Sequence, residues 1–312
     1  FSETTTASFS ADMYLGATDT DDATITDDAV NAAYSFQIDL NTSFTGEDSL
    51  DISLDAGTSG ATGVAEFDGN TGGDTLTVDG VSYTFPLGDK TTVIAGIDTD
   101  GSALFTTACA YGGPGNMLDD CANVNAGITG GGATIGAAYD FGTGFTAAFG
   151  AQTTESAVFT DESGDAYALN AAYTADNYGI SLTYGVVENA ALTNEDTYTA
   201  VNAYYLPDGS GLPSISVGYE IGDLGGAAAS ADEKTSFMVG LSWDEVGPGS
   251  AGIALGHSST LESAEEEYQY EAYYSYPVND GMTITPLIFT KENSTASKDD
   301  TTGVMVKTSF SF

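Results

Sequence analysis

The sequence has no arginine, five lysines, one histidine (His257), one tryptophan (Trp243) and two cysteines, set against 46 aspartates and glutamates; its formal charge is −41 over 312 residues. A chain so poor in cations cannot displace phosphate counterions, which excludes nucleic-acid binding. It has no apolar run of about 18 residues, which excludes a helical membrane span. No Pro-rich or Ser-rich stretch interrupts it, so residues 1–312 read as a single domain. The Ala/Glu/Lys/Leu bias of helical bundles is missing, and 39 glycines oppose long helices. What is present excludes an acidic disordered chain: 18 tyrosines, 15 phenylalanines and many β-branched residues. An all-β chain remains, either a soluble sandwich or solenoid, or a transmembrane barrel.

Alternation with period 2 separates these. In residues 32–44, Ala32, Tyr34, Phe36, Ile38, Leu40 and Phe44 share one face, and Ala33, Ser35, Gln37, Asp39, Asn41 and Ser43 share the other. Phe237, Val239, Leu241 and Trp243 alternate with Met238, Gly240 and Ser242 in the same way, and Ile215 to Ile221 alternate with Ser216, Gly218 and Glu220. Sixteen such segments run from 6–17 to 301–312. The fourth, 75–86, slips phase at Gly80, the mark of a bulge. Links after even-numbered segments are short and carry Gly, Pro, Asp or Asn; links after odd-numbered ones are longer and acidic, with Asp19, Asp21, Asp22, Asp27 and Asp28 in the first. The predicted fold is therefore all-β: a transmembrane antiparallel β-barrel of about 16 strands, with short periplasmic turns and long acidic external loops. A soluble sandwich also alternates, but has no reason to alternate loop length. A calcium-binding solenoid is echoed once, at Gly72–Gly80, where at least three repeats are needed.

In such a barrel the polar face lines the lumen. It assigns Asp12, Asp39, Asp51, Asp55, Glu220 and Glu271 to the pore, against Lys307. All but Asp51 fall near mid-height, and carboxylates there favour cations. Tyr14, Tyr204 and Tyr273 are the inward aromatics that could form a sugar platform. Cys109 and Cys121, with no third thiol or histidine beside them, read as a disulfide closing a short loop rather than a zinc site. Asp98-Thr99-Asp100-Gly101 is a fragment of a calcium loop, so a loop-bound Ca²⁺ through Asp98 and Asp100 is the one metal expectation; no other cofactor is expected. His257 falls on the outward phase with no serine elbow or metal pair, which argues against an enzyme, although an acid-only glycosidase pair stays open. The opening residues show no signal peptide, so either one has been removed or the chain is the C-terminal part of a longer precursor.

The opening Phe1-Ser2-Glu3-Thr4-Thr5-Thr6, the stretch Leu40-Asn41-Thr42-Ser43-Phe44-Thr45-Gly46-Glu47-Asp48-Ser49-Leu50 and residues 85–96 resemble the barrel domain of cyanobacterial outer-membrane porins of the carbohydrate-porin (OprB-like) type. The resemblance implies a passive channel for small hydrophilic solutes and ions in the outer membrane of a Gram-negative-type bacterium, a cyanobacterium. It also implies a homotrimer in lipid, and a peptidoglycan tether through an S-layer-homology domain preceding the barrel. The link 99–131 follows the fifth strand, as the inward-folding third loop of general-diffusion porins does, which makes it the constriction-loop candidate, with Asp98 at its start and Asp100, Asp119 and Asp120 along it; Cys109–Cys121 either fixes its shape or staples an exposed loop tip. Family members carry basic residues on the third strand, where this chain has Asp51-Ile52-Ser53-Leu54-Asp55. A structural or adhesive barrel with a blocked lumen, and a sugar-selective porin, are the alternatives.

Overall fold

In the computed structural model described here, residues 5–20, 29–59, 64, 66–67, 69–158, 160, 164–189, 194–209, 211–226, 232–294 and 298–312 are placed. The external-loop acids Asp21, Asp22, Asp27 and Asp28 and the opening residues 1–4 lie outside this set.

Sixteen antiparallel strands close into a barrel: β1 (Thr5–Asp19), β2 (Asn31–Thr42), β3 (Ser49–Gly57), β4 (Gly73–Pro86), β5 (Thr91–Ile97), β6 (Ala133–Asp140), β7 (Phe145–Thr153), β8 (Ala166–Thr174), β9 (Tyr178–Asn189), β10 (Asn194–Tyr205), β11 (Ser214–Asp223), β12 (Glu233–Val246), β13 (Gly249–Leu261), β14 (Gln269–Asn279), β15 (Met282–Lys291) and β16 (Thr301–Ser311). Each strand pairs with its sequence neighbours, and β1 pairs with β16, from Ser10↔Ser311 to Asp19↔Thr302. Closure leaves no strand edge with unbonded backbone groups. The apolar rows face outward: Met13, Leu15, Ile288 and Val304 are all more than half exposed. They do not meet in a dry interior, which sets aside the sandwich.

The alternation of link lengths holds with one exception. β9 and β10 run further than the alternation predicts and leave only 190–193 between them, while the link on the opposite end, 206–213, is the longest short-side turn. The backbone ladder there continues past the apolar pattern, through Glu195↔Glu188 to Asn194↔Asn189. The phase slip in β4 is a bulge: Ser53 pairs with Gly80 and Leu54 with Val78, so Asp79 has no partner across the ladder.

The turn 43–48 is organised by one carboxylate. Asp48 Oδ1 accepts from the Phe44 and Thr45 amides (2.9 and 2.7 Å) and the Ser43 and Thr45 hydroxyls (both 2.8 Å), and Oδ2 accepts from the Tyr83 hydroxyl (2.6 Å). The Tyr83 bond above all, with those from Thr45 and Ser43, holds Asp48 far below the usual carboxylate range against the opposing effect of burial. A depressed value in the folded state means the turn's contribution is complete above the ordinary carboxylate range and is lost only as pH falls through the folded value. The Phe44 and Thr45 amides should therefore remain protected from hydrogen exchange at about pH 3, below the ordinary Asp value of about 3.9, and should exchange freely in Asp48→Asn.

Candidate functional site

Two external loops fold into the lumen. The first is the β5–β6 link, 98–132, the expected constriction loop. It runs along the inner wall and is pinned strand by strand. The Gly101 amide donates to Gln152 on β7 (2.8 Å), Thr106 and Asn170 on β8 exchange two bonds (3.1 Å each), and Ala108 donates to Ser181 on β9 (2.9 Å). The Ala110 and Tyr111 amides share Ser216 on β11 (2.8 and 3.0 Å), and the Tyr111 hydroxyl reaches Glu271 on β14 (2.5 Å). On the way back, Cys121 offers its carbonyl to Asn202 on β10 (2.7 Å), and Asn125 and Ala126 donate three bonds to Glu220 on β11 (2.6–2.8 Å). Cys109 and Cys121 are disulfide-bonded and join the outgoing and returning arms. Burial first, then the Glu271 charge, raises the Tyr111 hydroxyl far above its usual range, so it stays a donor.

The inner wall of β7–β13 is shaped for this loop. At Gly150 an added Cβ would stand 1.7 Å from the Gly101 carbonyl, and at Gly218 1.7 Å from the Cys121 carbonyl. Only glycine lets backbone approach backbone so closely.

The second loop is 58–72, between β3 and β4, which the sequence reading left outside. Its two arms are joined by Ser59 N–H to Asn70 O (3.1 Å), and Asn70 is anchored on β2 through Ser35 and the Phe36 carbonyl. Val64 and Phe67 fill a socket of Tyr14, Leu287, Phe289 and Met305 on β1, β15 and β16. This is a small hydrophobic core inside the barrel, and full burial of each such side chain contributes about 1.5–3 kcal/mol. Phe67 makes a backbone bridge to Gly115, so the loops touch each other.

These loops reassign several expected pore residues. Glu220 and Glu271 face the lumen but are buried beneath the constriction loop, 2% and 4% exposed, and serve as its anchors. Tyr14 is 1% exposed under Phe67 and cannot offer a ring face to a sugar. Tyr273 packs edge-on against Tyr111. Tyr204 is half-buried over Gly179, away from the other two, so the three tyrosines form no common platform. Lys307 lies under Phe67, its Nζ 5.9 Å from the ring centre. Asp12 takes the Tyr14 hydroxyl at 3.3 Å beneath the second loop, and Asp51 is bound by Asn41 and Ser49 towards the short-turn end.

The wall the loops leave open is β2–β5. There the polar side chains bond one another: Gln37 and Ser53 donate to Asp39, and Thr77 donates to Asp55. The bulge adds an acid that the alternation did not assign. Asp79 is exposed, and Asp55, Asp98, Asp39 and Asp100 all lie within electrostatic reach of it. Bulges commonly re-aim a side chain in this way. Asp98 and Asp100 stand at the root of the constriction loop, where burial raises the Asp100 carboxyl against the pull of the Gly131 amide. No lysine reaches this group. Lys90 donates to the Phe141 carbonyl at the short-turn end, Lys234 and Lys291 stand at the external ends of β12 and β15, and Lys298 lies in the last loop. Among the described residues no group of three or more His, Cys, Asp or Glu is arranged to hold a metal ion. Asp119 and Asp120 lie in the returning arm, away from Asp98 and Asp100.

Solved structures share this architecture over their whole length. The anion-selective porin from Comamonas acidovorans superposes with a TM-score of 0.72 at 15% identity, covering 99% of both chains. The fold is that of the porins. Pseudomonas putida OprB, in a high-pH structure, gives 0.67 at 11% identity over 100% of this chain and 95% of its own, and a mutant of the Rh. blastica porin gives 0.64 at 13% over 98% and 100%. No protein-family model and no curated protein matches the chain.

Proposed function

We propose that this porin-fold chain is a passive outer-membrane diffusion channel for small hydrophilic solutes and inorganic ions, and that it prefers cations. The carrying observation is the open wall β2–β5, where five carboxylates (Asp39, Asp55, Asp79, Asp98, Asp100) gather on one side of the lumen with no lysine among them. A one-signed lining raises the local concentration of counter-ions and excludes co-ions. The Comamonas porin is described as anion-selective, so the shared fold sets no sign and the lining residues do. The exposed apolar belt fits a lipid-facing wall in the outer membrane of a Gram-negative bacterium. No step of this function needs a catalytic group.

A homotrimer is supported by the outer face of β15, β16 and β1. Its external half carries Ile288, Val304, Met13 and Leu15 and no aromatic, whereas Tyr167, Tyr184, Tyr219 and Tyr270 mark the external level elsewhere. An interrupted aromatic girdle fits a face covered by another subunit. The cyanobacterial source and the peptidoglycan tether rest on the sequence resemblance alone, and a loop-bound Ca²⁺ at Asp98 and Asp100 rests on the sequence fragment.

The competing reading, a structural barrel sealed by its two inner loops, draws on the same geometry. Planar-bilayer recording separates them: steady ohmic openings are expected, and absence of current from well-inserted protein would establish the sealed barrel.

A further inference from the structure

The outer wall carries a groove at its short-turn end, on the side of the barrel opposite β15, β16 and β1. It crosses from β7 to β10, three strand spacings of about 4.8 Å each, and holds about 610 Å³. Its floor is Ala171, which pairs with Ala147 on β7 and Leu182 on β9. Phe141, Phe145 and Tyr173 line it from the turn and β7–β8, and Ile180, Leu182 and Val201 from β9–β10. Its mouth is an aromatic ledge: the ring centres of Tyr139–Phe141, Phe145–Tyr173 and Tyr173–Tyr178 are 4.8, 4.6 and 5.8 Å apart. Such rings settle at the headgroup level, so the groove runs from there into the hydrocarbon. Lys90 stands at this mouth. Its Nζ donates to the Phe141 carbonyl (3.1 Å), and an ammonium has three N–H donors. The other two make no bond among the described residues, and Lys90 is exposed and forms no ion pair there, although Asp89 precedes it and Asp140 bonds the adjacent Gly142 amide. Gly142, at φ +80°, leaves the ammonium uncovered: an added Cβ would stand 3.6 Å from Nζ. No other lysine lies at the short-turn end; Lys234, Lys291 and Lys298 are external and Lys307 is in the lumen.

We propose that this groove holds one phospholipid of the inner leaflet, with an acyl chain over Ala171 and the phosphodiester bonded to Lys90. The two halves of the site match the two halves of such a molecule: an apolar trough inside the membrane, and one uncommitted cation at its headgroup end. Apolarity alone selects nothing here, because lipid tails are as apolar as leucine. Shape and charge select. A trough surrounds a chain with contacts that a flat wall gives on one side only, and a hydrogen bond between an ammonium and a phosphate is of the strong, charge-assisted kind. In a chain of 46 acids and five lysines, most of the surface repels a phosphodiester, and the mouth of this groove attracts it. β8 lies eight strands from β16 in the closed order, so subunits packed on the β15, β16 and β1 face leave the groove to lipid.

The site needs a lipid-facing outer wall and does not depend on conduction, so its test reads binding and not current. Native mass spectrometry of the full chain in detergent is run with dipalmitoyl phosphatidylglycerol and, separately, with an uncharged galactosyl diacylglycerol of the same chains. One phosphatidylglycerol per chain should be retained, about tenfold more tightly than the galactolipid, a ratio within reach of one hydrogen bond to a charged group. Lys90→Gln should make the two lipids equal. Ala171→Trp fills the floor from the outside and should weaken both. Lys298→Gln removes the same charge at the external end and should leave the preference unchanged, which separates Lys90 from net charge. Equal binding of the two lipids by the wild type, or a preference kept in Lys90→Gln, overturns the proposal. Undiminished phosphatidylglycerol in Ala171→Trp overturns the groove. If Ala171→Trp instead shifts the mass of the assembly and leaves bound lipid as it was, the face is a contact between copies and the lipid site is overturned. Wild-type circular dichroism and melting temperature in each variant show that the barrel is intact.

Discussion

Replacing Asp39, Asp55 and Asp79 together by asparagine should remove most of the cation preference proposed for the open wall. Under a tenfold KCl gradient an ideally cation-selective pore reverses near 59 mV, the one-electron value for a tenfold ratio. The wild type should reverse well towards that limit and the triple variant at less than about half the wild-type potential. The substitutions retain size and hydrogen-bonding groups, so Ser53, Gln37 and Thr77 keep partners and pore width changes little. Screening gives an internal control: the Debye length is about 10 Å at 0.1 M and 3 Å at 1 M, so the difference between variant and wild type should be large in dilute salt and small in concentrated salt. Asp51→Asn, outside the group of five, should leave the potential unchanged. Equal reversal potentials for wild type and triple variant would show that the carboxylates do not set selectivity.

The single substitution Asp79→Asn tests what alternation could not read. A strict period of 2 gives no face to the residue at a bulge, and only the mismatch Ser53↔Gly80 followed by Leu54↔Val78 shows that Asp79 is the extra one. Elsewhere the wall was legible because each strand separates water from an apolar medium, and a one-residue slip would reverse every side chain. Asp39 and Asp55 fall on the lumen face for that reason. Glu220 and Glu271 share the same phase, yet they are buried. For Glu220 the difference lies in the neighbours on the face: Asp39 stands among Gln37, Asn41 and Ser53, whereas Glu220 stands between Gly218 and Gly222 with Ala200 and Ser236 beside it; Glu271, between Gln269 and Tyr273 with Phe289 beside it, carries no such mark. A charged residue on a face otherwise stripped of side-chain volume marks a docking track for backbone. The inner loop 58–72 left a fainter signal. Val64 and Phe67 are the only large apolar residues from Thr58 to Thr75, and in a solvated acidic loop nothing would hold them. Their socket, assembled from β1, β15 and β16, is a long-range property that no local pattern carries.

The docking track yields the other large expected effect. Gly218→Ala adds a single methyl group, 1.7 Å from the Cys121 carbonyl and 2.8 Å from Asn202 Nδ2. The wall of β11 is fixed by ladders to β10 and β12 on both sides, so the loop must move, and the Asn202–Cys121 bond of 2.7 Å goes with it. Overpacking of this kind costs about 1–3 kcal/mol, and leaving the Asn202 amide without its partner adds a comparable amount. The disulfide ties Cys121 to Cys109, so displacement at Gly218 is transmitted to the outgoing arm at Ser181 and Ser216. The expected result is a lower melting temperature in detergent together with a larger and noisier single-channel current. Gly112→Ala is the matched comparison: it lies in the same loop, with nothing within 4 Å of an added Cβ, and should change neither. If Gly218→Ala kept the wild-type current while Gly112→Ala altered it, the pore would be set by the exposed turn of the loop and not by its seat on the wall. The strand ladder predicts the reverse, because the carbonyls that the glycines admit belong to the arms of the loop that lie flat against the barrel.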